Sequence, residues 1–155
     1  MKSVAGIAMA VLAMSAVSAS AQHNTWQSKC RTDQMTDKKN CSVDATIDPK
    51  QGVENMLIVG ISTTPVGIVV VGSGHGARAR IRIDENQAVT LSDCDSAGCI
   101  LASAQATAAI RQMRNGTRML VEYSDVRGRT IGPWEISLSG FDAEYRRSLS
   151  GGGAR

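Results

Sequence analysis

From Ala77 to Ile83 the chain reads Ala-Arg-Ala-Arg-Ile-Arg-Ile, with small or apolar residues at odd positions and arginine at even ones. A period of two marks a strand with one buried and one wet face. The run constrains the fold because of what precedes it. Gly72, Gly74 and Ala77, after the valine run Val69-Val70-Val71, fit the G-x-G-x-x-A fingerprint of a dinucleotide-binding turn. In that motif the pyrophosphate rests on free N–H groups at a helix N-terminus, so a helix must follow. Here a strand follows, and the nucleotide reading loses its mechanism. The glycines of Gly72-Ser73-Gly74-His75-Gly76 are then read as the turn of a β-hairpin.

The same reading extends along the chain. Asn24–Cys30, Cys41–Ile47, Met56–Thr63, Val66–Val71, Ala77–Ile83, Ala88–Ser92, Thr117–Ser124 and Ile131–Ser139 carry β-branched or alternating apolar residues between turn signals. About eight short strands of this kind predict an all-β protein, a sandwich of two sheets. Pro65 marks a break, and Asn115-Gly116 and Arg127-Gly128 mark turns. Two short helices are expected: Ala104–Met113, opened by Ser103 as a cap and stopped by Asn115-Gly116, and Asp142–Leu149.

The N-terminus predicts export. Lys2 precedes an apolar, alanine-rich stretch from Val4 to Val17, and Ala19-Ser20-Ala21 supplies the small residues that a signal peptidase needs. Residues 1–21 are thus read as a signal peptide cleaved after Ala21, with no transmembrane segment. Residues 22–149 are read as one domain and 150–155 as a flexible tail. A protein in the periplasm or outside the cell meets no ready supply of nucleotide cofactor, and none is expected.

All four cysteines follow the leader. An even count in an exported chain favours disulfides. Cys30 and Cys41 flank the polar loop RTDQMTDKKN, and Cys94 and Cys99 bracket DSAG, so local closure predicts the pairs Cys30–Cys41 and Cys94–Cys99. The rival is a zinc site, but only the Cys94–Cys99 spacing approaches the usual C-x2–4-C. Redox catalysis lacks its C-x-x-C.

Charge excludes little. Once Lys2 leaves with the leader, the 16 remaining basic residues are nearly matched by 14 acidic ones, which gives no reason to expect nucleic acid as a partner. The distribution says more: Arg78, Arg80 and Arg82 are expected on one face of a strand, about 7 Å apart, because alternate residues share a face. Such a row is a candidate site for an anionic lipid or glycan; a solvated face, or an edge strand protected by charge, is the plainer reading. Catalytic candidates are few. His23 lies at the new N-terminus and His75 between glycines, where nothing local would hold a general base. Asp93 and Asp95 flank Cys94 and would share a strand face. Trp26 and Trp134 are expected to pack in the core or seal one end of the sandwich.

Taken in order, several segments resemble the invasion-associated locus B family of exported proteobacterial proteins. They are Thr25-Trp26-Gln27-Ser28-Lys29-Cys30, Pro65-Val66-Gly67-Ile68, Ile81-Arg82-Ile83-Asp84, Cys94 with Gly98-Cys99, Met113-Arg114-Asn115-Gly116, and Ile136-Ser137-Leu138-Ser139-Gly140-Phe141. The resemblance spans nearly the whole mature chain. It departs from the family at Gly72–Gly76, where members tend to have an apolar, proline-containing connection. The resemblance implies a disulfide-bonded β-sandwich of the periplasm or the exterior, associated in pathogenic members with entry into host cells, with no established catalytic residues. The expected function is therefore a non-enzymatic envelope or secreted protein that binds a protein, an envelope component or a host-surface component. The alternatives are a periplasmic hydrolase using Asp93, Asp95 or His75, and an inhibitor that presents a disulfide loop to an extracellular enzyme.

Overall fold

A computed structural model describes residues 26–47, 57–72 and 75–151. The expected signal peptide and His23 lie outside these residues. The described elements are β1 (Gln27–Thr32), β2 (Lys39–Ile47), β3 (Leu57–Thr63), β4 (Val66–Val71), β5 (Gly76–Ile83), β6 (Val89–Leu91), β7 (Asp93–Asp95), β8 (Gly98–Ala102), α1 (Ser103–Asn115), β9 (Arg118–Asp125), β10 (Thr130–Ser137) and α2 (Phe141–Leu149). The strands form two antiparallel sheets, one in the order β1-β2-β3-β4-β8-β7 and the other in the order β10-β9-β5-β6.

Alternation decides which face of each strand is dry. Val43 and Ala45 of β2, Leu57, Val59 and Ile61 of β3, and Ile68 and Val70 of β4 are buried in the first sheet. Ala79, Ile81 and Ile83 of β5 and Met119, Val121 and Tyr123 of β9 are their counterparts in the second, all in one core. The all-β sandwich expected from the sequence is the fold. Helix α1 adds Ala106, Ala109, Ile110 and Met113 to that core, and α2 adds Phe141 and Tyr145. Trp26 is buried, donates its indole N–H to the Ser137 carbonyl at 2.8 Å, and meets the Phe141 ring at a centroid distance of 4.8 Å. Trp134 is only partly buried against the core.

Three local expectations change. The first is the glycine-rich hairpin. β4 pairs with β3 and β8, whereas β5 pairs with β9 and β6, so Gly72–Gly76 carries the chain from one sheet to the other. Periodicity identifies both strands but is blind to their partners. The second is the segment around Cys94 and Cys99, which is a two-stranded hairpin, β7 and β8, and raises the strand count to ten among the described residues. Asp-Cys-Asp is too short to show a period. The third is Ser103, which is the first helical residue, with extended Ala102 in the cap position. The helix does stop at Asn115, and α2 runs to Leu149 as expected. Of the tail, the Ser150 and Gly151 amides donate to the Arg146 and Ser148 carbonyls, and 152–155 lie outside the described residues.

Candidate functional site

The arginine row is real, and its phase is set by an irregularity. A register shift between Gly76 and Arg78 leaves both Ala77 and Arg78 exposed and brings Ala79, Ile81 and Ile83 into the core. Arg78, Arg80 and Arg82 therefore share the outer face of the second sheet, opposite Ser124, Glu122 and Leu120 of β9. Their surroundings differ. Arg78 is exposed and has no ion-pair partner among the described residues. Arg80 lies 3.6 Å from Glu122. Arg82 is half-buried, and its Nε is enclosed with no acceptor.

Arg80 and Arg82 line a cavity of about 310 Å³ together with Ala88, Leu120, Glu122 and Pro133. Pro133 sits in the stretch where β10 slips register against β9, between Ile131 and Trp134. That irregularity brings its ring to the wall of the cavity. Neither Glu122 nor Pro133 stands out in the sequence as a site residue. The signal for Glu122 is the alternation Arg118-Met119-Leu120-Val121-Glu122, read against the arginine row across one pair of strands.

Beside the cavity, Arg118 bridges Glu85 at 2.6 Å and Glu135 at 3.2 Å. These two carboxylates, Glu85 first, raise its pKa above the ordinary guanidinium value. Asp84 holds the backbone at this point. It adopts φ 47° and accepts hydrogen bonds from the Thr117 hydroxyl at 2.7 Å, the Thr117 amide at 3.1 Å and the Arg118 amide at 3.0 Å. The Thr117 hydroxyl, followed by these amides, holds the Asp84 carboxyl below the usual carboxylate range. Thus the end of β5 is tied to the start of β9, which fixes the register of Arg82 against Leu120.

The other candidates do not assemble into a reactive set. Asp93 and Asp95 share a face of β7 as expected, and both are exposed. Asp95 accepts the Ala97 amide at 2.7 Å and so closes the β7–β8 turn. His75 is exposed, and its backbone carbonyl accepts the Val126 amide at 3.0 Å. None of the three side chains is hydrogen-bonded or ion-paired to another. Cys30–Cys41 and Cys94–Cys99 are both disulfides between directly opposed residues of neighbouring strands. Those bonds occupy the thiols that a zinc site would need. A second cavity, about 380 Å³, lies on the outer face of the first sheet against Pro65, Val66, Val69, Ile100, Ala102 and Thr107, and it is apolar apart from hydroxyl groups.

The Trp26 anchor, the two cross-strand disulfides, the Asp84 clamp and the Leu138–Phe141 entry to α2 place every quoted segment of the chain in one sandwich. Residues 26–148 match the family model for invasion associated locus B (IalB) protein. The chain belongs to the invasion associated locus B family. Among curated proteins and solved structures, none matches it. No helix of the described residues is long and apolar enough to cross a membrane.

Proposed function

We propose that this invasion associated locus B protein is exported to the periplasm or beyond and works there without catalysis, by binding an anionic component of an envelope or host surface. The observation that carries the reading is the outer face of the second sheet, where Arg78 and Arg82 lack carboxylate partners among the described residues while Arg80 is only loosely paired. Two disulfides and the family support export. Among the described residues no hydrogen bond or ion pair joins the side chains of Asp93, Asp95 and His75, which favours binding over hydrolysis.

The test replaces Arg78, Arg80 and Arg82 together with glutamine in the mature, disulfide-bonded protein. Binding to a sulfated-glycan matrix or to phosphatidylglycerol vesicles should weaken, and its salt dependence should flatten, because charge attraction is screened over about 10 Å at 0.1 M salt. The melting temperature should move little, since Arg78 and Arg80 are exposed charges that contribute little to folding, and half-buried Arg82 gives up no hydrogen bond to a described residue. Unchanged binding and an unchanged salt response would remove this face from the function.

A further inference from the structure

We infer that the cavity between β5, β9 and β10 is a phosphate-ester site in which Arg82 grips the phosphate while Leu120, Ala88 and Pro133 pack against the group that carries it. The inference rests on the binding function proposed above and names its ligand.

A guanidinium offers five N–H donors in a planar fork that matches two oxygens of a phosphate. In a folded protein such a group normally finds an acceptor when it is drawn out of water. Arg82 does not. Its stem is held on the sheet between the inward-facing Ile81 and Ile83, its Nε is enclosed, and no described residue accepts a hydrogen bond from it. Its two nearest arginines in the sheet each have a carboxylate: Arg80 has Glu122, and Arg118 has both Glu85 and Glu135. Of the two arginines that line the cavity, Arg82 is therefore the one with no carboxylate among the described residues, and the cavity is open to an anion that would supply one.

The size and walls of the cavity narrow the ligand. About 310 Å³ exceeds what a bare oxyanion fills and sits at the lower end of small-molecule pockets. The walls away from the arginines are Leu120, Ala88 and Pro133, which suit the carbon framework of a sugar or glycerol ester. Glu122 supplies selectivity. It lines the same cavity and is paired with Arg80, so an anion that bonds Arg82 and reaches Arg80 must compete with it. Such an ester has two sources, a soluble sugar phosphate or a phospholipid headgroup, and both present the same group to Arg82.

The experiment titrates the mature protein with glucose 1-phosphate, and separately with phosphatidylglycerol and phosphatidylcholine vesicles, while following backbone amide resonances and affinity. Perturbations centred on Arg82, Leu120 and Ala88 are expected, with at least a tenfold loss of affinity in Arg82→Gln. Glu122→Gln should strengthen binding several-fold by freeing Arg80. It decides the matter even if Arg82→Gln fails to fold, since unchanged affinity in that variant would overturn the site. Binding of both probes identifies the phosphate ester itself as the ligand, and binding to phosphatidylglycerol vesicles alone identifies a lipid headgroup. No perturbation of the cavity by either probe overturns the inference. If the triple arginine variant nonetheless loses binding to the sulfated-glycan matrix or phosphatidylglycerol vesicles while Arg82→Gln retains it, the site falls and the broader binding function stands.

Discussion

A Cβ added to Gly72 would stand 2.5 Å from Cδ1 of Tyr123, closer than any real side chain is tolerated. Gly76, on the far side of the same crossing, would put its Cβ 2.9 Å from the Tyr123 hydroxyl oxygen and 2.9 Å from the Cys99 sulfur. Gly72, the first glycine of the nucleotide-like fingerprint, and Gly76 beyond it are thus required by a buried tyrosine. They let the backbone pass over its ring as the chain leaves one sheet for the other. Burial, and then the Asp125 charge, raise the Tyr123 hydroxyl pKa, while a hydrogen bond with the Gly72 backbone opposes them.

Gly72→Ala should therefore destabilise the protein by about 1–3 kcal/mol, the usual cost of overpacking a filled core. Urea unfolding measures it. In combination with Tyr123→Leu the two losses should sum to less than their separate values, because the clash disappears with the ring. Strict additivity would show that the glycine is needed for some other reason.

The disulfides allow a comparison of loop lengths. Both join residues that are already opposite each other in register, at sequence separations of 11 and 5. In the chain-entropy picture each bond stabilises by about 2–3 kcal/mol, the longer loop by slightly more. Replacing Cys30 and Cys41 together with serine should lower the urea midpoint at least as far as the same change at Cys94 and Cys99. A much larger effect at Cys94 and Cys99 would point to lost packing, since Cys99 is fully buried near Gly76 and Tyr123.

Stability should fall on acidification. Asp84, Asp125, Asp142 and Glu144 are all held below the ordinary carboxylate range, chiefly by the Thr117 hydroxyl, Arg129, Arg114 and the Ser28 hydroxyl respectively. Each carboxyl binds its proton more weakly in the folded chain than in the unfolded one. The stability it contributes is complete above the unfolded value, about pH 4, and is lost as pH falls through the folded value. Urea midpoints between pH 7 and pH 2.5 should show this decline. Asp84→Asn isolates one group, because asparagine tolerates the positive φ at this position. The variant should be less stable at neutral pH and should show a shallower acid slope. An unchanged slope would mean that Asp84 titrates alike in both states.

What the sequence reveals here is local. Alternation in Ala77–Ile83 places the arginines on one face, and the short loop between Cys94 and Cys99 pairs those cysteines correctly. Partnership between distant strands is invisible to the same patterns. That is why Gly72–Gly76 reads as a hairpin, and why Glu122 and Pro133, which complete the cavity, carry no warning in their own neighbourhoods. Asp84 belongs to the same class. It stands at the end of a strand and looks like a turn residue, yet its partners Thr117 and Arg118 lie more than thirty positions along the chain.

The larger sheet ends at β1 in an edge that needs protection. Among the described residues β1 is a terminal strand, paired only with β2, and a bare edge offers unpaired N–H and C=O groups to other chains. Helix α2 covers this edge. Oε2 of Glu144 accepts both the Ser28 amide at 3.0 Å and the Ser28 hydroxyl at 2.7 Å, and the carboxylate is steadied by Arg147 one turn on. Phe141 of the same helix meets the ring of Trp26, the residue before β1, at 4.8 Å, so the helix is held to this edge by an apolar as well as a polar contact. Glu144→Ala keeps the apolar contact and removes the polar one. It should cost about 1–3 kcal/mol, the range for a hydrogen bond to a charged group and the amide left behind. It should also raise self-association, seen by light scattering as a concentration-dependent increase in mass at neutral pH. Glu144→Gln, which retains an acceptor oxygen, should restore most of the monomeric behaviour. Should Glu144→Ala lose stability yet remain monomeric at every concentration, the carboxylate fastens the helix but the edge is guarded by something else, and the neighbouring Lys29–Asp44 pair on β1 and β2 becomes the next place to look.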